Sequence, residues 1–369
     1  MLLKSATDKL LISNQMTSKI LINGNFLCRS LTGIERFAFE ICRQLDALLD
    51  SKADVSILVP KNAKTVPQYK NIKLINCPKE IHGFPFWDMG TFAKACRKTK
   101  STGLNFSNTA PFGKLCGLSF IHDVYAKDHP KDFTTFKDKL VKLYCRFSYW
   151  NIAHNAKKVL TVSEFSKERI RHWYRVPENK IVVIPNGWDH FSNVDPDENI
   201  FEKFPILKEK DFFFTLGSLQ KRKNLKWILE YAKANPDDLF AVSGKTISGM
   251  HSEEIGDLSQ LRNVILLGYV SDEEVKALMQ KCKAFVFPSY YEGFGIPPLE
   301  ALSAGARIII ARSASLPEIY GNAALYIDAY NTECNIEELL QQNVETAENV
   351  LQTFTYRNSA KKLYRLIEE

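Results

Sequence analysis

Glu292 and Glu300 stand eight residues apart in the segment Ser289-Tyr290-Tyr291-Glu292-Gly293-Phe294-Gly295-Ile296-Pro297-Pro298-Leu299-Glu300. An apolar run, Ala284 to Pro288, precedes it and reads as a buried parallel strand. Pro297-Pro298 then opens a helix, where a missing N–H costs nothing. Gly293 and Gly295 permit close approach of the backbone, and the helix N-terminus offers free N–H groups to an anion such as phosphate. Carboxylates accept paired hydrogen bonds from vicinal diols, so two of them beside an anion site suit a sugar joined to a diphosphate. Taken singly, Glu300 is a first-turn acid complementing the helix dipole and Glu292 a solvated loop residue. Glycines, prolines and strand together carry the stronger reading. A second basic segment, Gly217-Ser218-Leu219-Gln220-Lys221-Arg222-Lys223-Asn224, follows the strand-like Phe212 to Leu216. A guanidinium fork and a compact ammonium just before a helix suit a diphosphate, the plain alternative being a solvated basic loop. His122-Asp123 closes a third apolar run, and Thr32-Gly33 begins a helix after the first strand.

The elements that position these residues follow from the hydropathy pattern. Apolar runs alternate with amphipathic stretches, the rhythm of a parallel α/β sheet. Strands are expected at 19–24, 55–59, 117–122, 158–162, 181–185, 211–216, 239–243, 263–267, 283–287 and 307–311. Helices are expected at 33–49, 136–154, 165–174, 224–235, 272–281, 298–304 and 346–367. Ser271 with Glu274 forms a capping box, and the polar stretch Trp188 to Lys210 is the linker candidate.

At these residues the chain resembles the retaining glycosyltransferases of family 4, on the GT-B fold. Glu292 and Glu300 match both ends of that family's E-x7-E signature, and Lys223 the lysine of its R-K-N run. Thr161 to Lys167 is close to T-V-S-x-F-S, and Ile184 to Asp189 to P-N-G-V-D. Ser218 stands where many members carry the arginine, which leaves Arg222 for that role, and Tyr356 stands where a closing tryptophan is usual. The resemblance implies two Rossmann-like domains facing a central cleft. Residues 1–195, with a crossing helix at 346–369, would form the acceptor-side domain, and 205–345 the nucleotide-sugar domain. It further implies that Glu300 holds the nucleotide ribose and that Glu292 contacts the transferred sugar beside Gly293, Phe294 and Gly295. Gly33, Arg222 and Lys223 would hold the diphosphate, while Gly217, Gly244, Tyr269 and Val270 line the nucleotide. His122 would reach the donor sugar, and Asp123 would orient that ring or meet the acceptor. The implied reaction moves a hexose from a nucleoside-diphosphate sugar to a hydroxyl, with retention and by front-side displacement. No D-x-D stands where a metal is expected, so protein cations replace it and no cofactor or metal is expected. The H-D and G-S-L-x-x-R-K-N combination looks like bacterial mannosyltransferases, with dTDP- and UDP-hexoses open as donors beside GDP-mannose. The alternatives are a GT-B-like epimerase or phosphorylase, and a non-catalytic nucleotide-sugar-binding protein. A nicotinamide-dependent oxidoreductase is disfavoured because no G-x-G-x-x-G follows the first strand.

Composition sets the partners. Of 369 residues, 45% are hydrophobic and 25% charged, ordinary for a globular protein of about two domains. The net charge of +7 divides unevenly: residues 1–190 hold 30 Lys+Arg and 16 Asp+Glu, and the remainder is acidic. That basic half holds Lys94, Arg97, Lys98 and Lys100, and a candidate helix Phe136 to Trp150 with four basic residues among apolar ones. One reading is peripheral contact with an anionic membrane, as suits a lipid-linked glycan acceptor in O-antigen or capsule synthesis. The other is a helix whose apolar side packs in the core. No nucleic-acid partner is expected, and the expected location is the cytoplasm, at the inner face of the membrane. Eight cysteines without a C-x-x-C pair read as reduced thiols with no structural zinc. The first residues lack a secretory pattern, and Met16 is a second candidate start.

Overall fold

The computed structural model describes residues 19–31, 33–216, 220–244 and 261–368. Two compact units emerge from spatial contacts. The first comprises Met1–Phe120, Ser148–Val159 and Ser359–Glu369, and the second Ile121–Phe147 and Leu160–Asn358.

In the first unit five strands lie in the order β3-β2-β1-β4-β5: β1 Ile20–Asn23, β2 Val55–Val59, β3 Lys73–Asn76, β4 Thr102–Asn105 and β5 Leu118–Phe120. Their pairings are parallel, with Ile20 opposite Val55 on one side and Thr102 on the other. β1 and β2 are buried on both faces, as a run without alternation requires, while edge strand β3 is largely exposed. The expected first helix is Ile34–Leu48, buried through Phe37, Ile41 and Leu45. Its sequence order reverses between β1 and β4. At their carboxyl ends lies a wholly buried polar cluster in which Asn23 Nδ2 donates to Asp88 Oδ1 at 2.7 Å and to Asn105 at 3.1 Å. Trp87 Nε1 donates to Asn23 Oδ1 at 2.8 Å. Burial pushes the Asp88 carboxyl up to about 6, against the bonds from Asn23 and Asn25.

β6 (Lys158–Thr161) passes from the first unit into the second, and β7 (Ile181–Val183) lies in the second. The main sheet of the second unit has the order β10-β9-β8-β11-β12-β13, with all registered pairs parallel. These strands are β8 Phe213–Leu216, β9 Phe240–Ser243, β10 Val264–Gly268, β11 Ala284–Phe287, β12 Ile308–Ala311 and β13 Leu325–Ile327. β11 and β12 are buried throughout. The helix Asp272–Lys281 carries the expected capping box, Ser271 and Glu274 each bonding the other's backbone N–H.

Three features depart from the sequence reading. The stretch expected as a linker holds two short helices, Asn199–Lys203 and Ile206–Glu209, whose Ile200, Phe201 and Leu207 enter the core. The expected terminal helix is two, Glu348–Thr353 and Tyr356–Glu368. Asp189 Oδ1 accepts from Tyr356 N at 2.6 Å, which restarts the helix there. Third, of the two readings open for the helix Phe136–Asn155, core packing fails over its first three turns, whose apolar side is not buried. Phe136 (78% exposed), Leu140, Leu143 (67%) and Phe147 form an outward stripe continued by Trp150.

Candidate functional site

Strand order in the second unit reverses between β8 and β11, and ligands of open α/β sheets bind beyond the carboxyl ends of strands at such a point. The loop leaving β8 holds Arg222 and Lys223; the loop leaving β11 holds Glu292. A single turn, Lys221–Lys223, ends at Asn224 in the left-handed region (φ 58°). Asn224 Nδ2 fixes it by donating to Pro288 O at 3.0 Å and Ala329 O at 2.7 Å. Tyr290 N donates to Arg222 O at 3.0 Å, so the two loops are bonded directly.

Glu292 is only 6% exposed. Its Oε1 accepts from Lys223 Nζ at 2.7 Å, and its Oε2 lies 3.4 Å from Arg222 Nη1. Ser289 Oγ stands 2.7 Å from Glu292 Oε1 and 2.8 Å from Arg222 O, and its one proton serves one of them at a time. Arg222 Nη1 is also 3.7 Å from Asp123 Oδ2, and its guanidinium lies 5.7 Å from the Tyr125 ring centre. Burial alone would raise the Glu292 carboxyl, but Lys223 and Arg222 outweigh it and hold the group below the usual carboxylate range. Burial also lowers the Lys223 ammonium, which Glu292 partly restores. The cluster is therefore a buried carboxylate held between two cations.

Gly293 and Gly295 have separate local tasks. A Cβ on Gly293 would fall 2.4 Å from the His122 carbonyl oxygen, so only glycine lets this loop rest on the His122-Asp123 turn. Ser163 locks that contact: its Oγ donates to Gly293 O at 2.6 Å and accepts from Ser166 N at 3.1 Å, capping the helix Glu164–Tyr174. Glu318 adds a second cap, accepting from Glu164 N at 2.8 Å and Phe165 N at 2.7 Å. Gly295, at φ 90°, caps the helix Ile296–Ser303, and its carbonyl accepts from the buried Tyr320 hydroxyl. Phe294 is buried against Phe354.

The described structure thus brings His122, Asp123, Arg222, Lys223, Glu292 and Gly293 together. Glu300 stands one helical turn into Ile296–Ser303, where its Oε1 meets His190 Nε2 at 3.0 Å. Gly244 N bonds Gly268 O at 2.8 Å, tying the end of β9 to β10. Tyr269 is 67% exposed, while Val270 is buried in the core and offers its backbone only. Gly33, at φ 51°, caps Ile34–Leu48 in the first unit. Gly217 lies outside the described residues.

Sequence reasoning missed His190, whose buried Nδ1 has no hydrogen-bond partner. It directly follows the Pro185-Asn186-Gly187-Trp188-Asp189 turn, so its nearness to Glu300 had no periodic signal. Ser289 and Asn224 were also missed, although Asn224 adjoins Lys223 and Ser289 lies in the same loop as Glu292.

A model described as Glycosyltransferase Family 4 matches residues 31–190, and one described as Glycosyl transferases group 1 matches 196–351. The O-antigen chain mannosyltransferase B of Escherichia coli is 30% identical over 225 residues, 58% of this chain and 56% of that protein. The O-antigen chain mannosyltransferase RfbU of Salmonella typhimurium is 31% identical over 211 residues, 56% of this chain and 55% of that protein. The chain spans a little over half the length of these curated relatives. Among solved structures, the sucrose-phosphate synthase of Thermosynechococcus elongatus superposes over 95% of this chain and 98% of its own with a TM-score of 0.69 at 15% identity, a likeness of fold.

Proposed function

The chain belongs to the glycosyltransferases, with a family 4 domain followed by a group 1 domain on the GT-B fold, and from that premise we propose that it transfers a hexose, mannose first, from a nucleoside-diphosphate sugar to a hydroxyl of a lipid-linked glycan. The observation that carries this reading is the Glu292–Lys223–Arg222–Asp123 cluster at the strand-order reversal. As the glycosidic bond breaks, negative charge grows on the departing diphosphate. Lys223 and Arg222 are already ordered by Glu292, so little reorganisation is needed to receive that charge. Glu300, on the next helix and bonded to His190, would accept a diol such as the nucleotide ribose. Glu292 sits too deep among its cations to act as a freely swinging nucleophile, which favours front-side displacement with retention. The two cations take the role that a divalent metal serves elsewhere.

The mannose preference is supported by the names of the two curated relatives, both O-antigen chain mannosyltransferases. A membrane-borne acceptor is supported by the exposed stripe on Phe136–Asn155, which lies among Lys137, Lys139, Lys142 and Arg146. Among the described residues no helix is long and apolar enough to cross a membrane, so attachment there would be peripheral.

A donor panel of GDP-mannose, UDP-hexoses and dTDP-hexoses, read by product mass, tests the reading. Transfer from GDP-mannose that persists in EDTA, with an α-linked product from the α-donor, is expected. Absence of turnover of every donor would remove the enzymatic reading. Loss in EDTA with rescue by Mg²⁺ would remove the metal-free one.

A further inference from the structure

Beside the cationic cluster, and wholly within the second unit, lies an open cavity of about 350 Å³ lined by His129, Arg169, Trp173, Tyr290, Tyr291 and Tyr330 among others. Its rings are held by their polar ends. Tyr291 Oη donates to Asp128 Oδ2 at 2.7 Å, and Trp173 Nε1 to Asp128 Oδ1 at 2.6 Å. Arg169 grips the same carboxylate through Nε at 3.0 Å and Nη2 at 2.5 Å. Tyr290 Oη donates to Asp132 at 2.7 Å, as does Tyr125 Oη at 2.5 Å. With the hydroxyls so engaged, the ring faces are what the cavity offers. Tyr330 stacks on Tyr290 with centres 6.0 Å apart and is itself 76% exposed.

Three properties narrow the occupant. The lining's single carboxylate, Asp128, is matched by its single guanidinium, Arg169, so the cavity favours a neutral ligand over a phosphate. His129 packs on Tyr290 and Tyr291 with centres 5.2 and 5.1 Å apart at 47° and 72°, so these rings leave no parallel-walled slot that would sandwich a flat base. The volume lies at the low end for small-ligand sites, typically about 300–1,000 Å³. Between the cavity and the cations stand Tyr290, whose N is bonded to the Arg222 carbonyl, and, behind the lining, Tyr125, whose ring packs 5.4 Å from that of Tyr291 and lies by the Arg222 guanidinium.

We propose that this cavity is a subsite for one neutral pyranose ring of the acceptor glycan, adjoining the donor across the Tyr125–Tyr290 wall. The proposal rests on the hexosyltransferase reading for the word acceptor, but not for the binding of a sugar. Locked aromatic faces recognise such a ring at low entropic cost, and Arg169 Nη1 and His129 supply hydrogen bonds at the rim.

Saturation-transfer NMR of the whole protein with methyl α-D-mannopyranoside tests it. The wild type is expected to bind the glycoside, with GMP failing to displace it. Tyr330→Phe, which keeps the ring, should bind as the wild type does, and Tyr330→Ala should bind about tenfold more weakly. Tyr330 is exposed enough that its loss should leave the thermal midpoint in place, and that midpoint is measured alongside. Absence of glycoside binding, equal binding by Tyr330→Ala, or displacement by GMP would each overturn the subsite. Glycoside binding without turnover of any nucleotide sugar would instead sink the transferase reading and leave the sugar site standing.

Discussion

Glu292 is a carboxylate used against its own solvation: buried, yet held anionic by two cations. On the proposed function its charge would also compete with a diphosphate for those cations. Glu292→Gln should therefore tighten binding of GDP or UDP, measured by calorimetry, while turnover falls at least about tenfold. Weaker nucleotide binding would mean that Glu292 supports the nucleotide directly. His190 gives a second test at this scale. His190→Ala removes the imidazole that meets Glu300, whereas Gln at 190 can present an amide nitrogen near the position of Nε2. The expected result is a KM for donor raised by about tenfold in His190→Ala, with kcat nearly kept and KM largely recovered in His190→Gln. Equal KM in all three would leave His190 a core residue only. The charged members of the cluster were legible because their spacing follows strand ends. The neutral residues that aim them, Ser289 and Asn224, were not, because a serine or asparagine in a loop has many uses and no period.

At the level of elements, ten strands were readable from apolar runs, and their order around β8 and β11 then dictates where the loops converge. β3, β4 and β13 escaped. Lys73–Asn76 is an exposed edge, Thr102–Asn105 carries a glycine and two polar residues, and Leu325–Ile327 is three residues long. The turns Trp87–Phe92 and Ala93–Thr99 were hidden by Gly83 and Pro85, which read as loop chemistry. The helix Glu164–Tyr174 was expected as a scaffold, but its cap also fixes the signature loop. Ser163→Ala removes the N-cap and leaves the Gly293 carbonyl only the longer contact to Ser166 Oγ at 3.4 Å, so a loss of about 2 kcal/mol in urea unfolding is expected. A loss below about 0.5 kcal/mol would show that Glu318 caps the helix alone.

Over the whole molecule two balances stand out. Asp88 in the first unit has a folded pKa of about 6, above the ordinary 3.8 of an unfolded chain. The folded state binds that proton more tightly, so this contribution is greatest below the unfolded value. It is lost as pH rises through about 6, by about 3 kcal/mol in all. Asp88→Asn should therefore raise the thermal midpoint at about pH 7 and leave it nearly unchanged at about pH 4. Equal shifts at both would refute the assignment. Glu292 works in the opposite direction, since a depressed carboxyl gives up its stabilisation only as pH falls through its folded pKa. The second balance is between charge and apolar surface on Phe136–Asn155. Co-sedimentation with anionic vesicles should fade with salt and disappear in Phe136→Glu/Leu143→Glu, both changes lying on fully outward positions. Indifference to vesicle charge would leave a dissolved acceptor. Mooring by such a stripe would also change what concentration means for this protein. An enzyme moored beside its substrate searches in two dimensions, so its rate follows the mole fraction of acceptor in the bilayer. Diluting that acceptor with inert lipid should slow it even when the total amount in the tube is held constant.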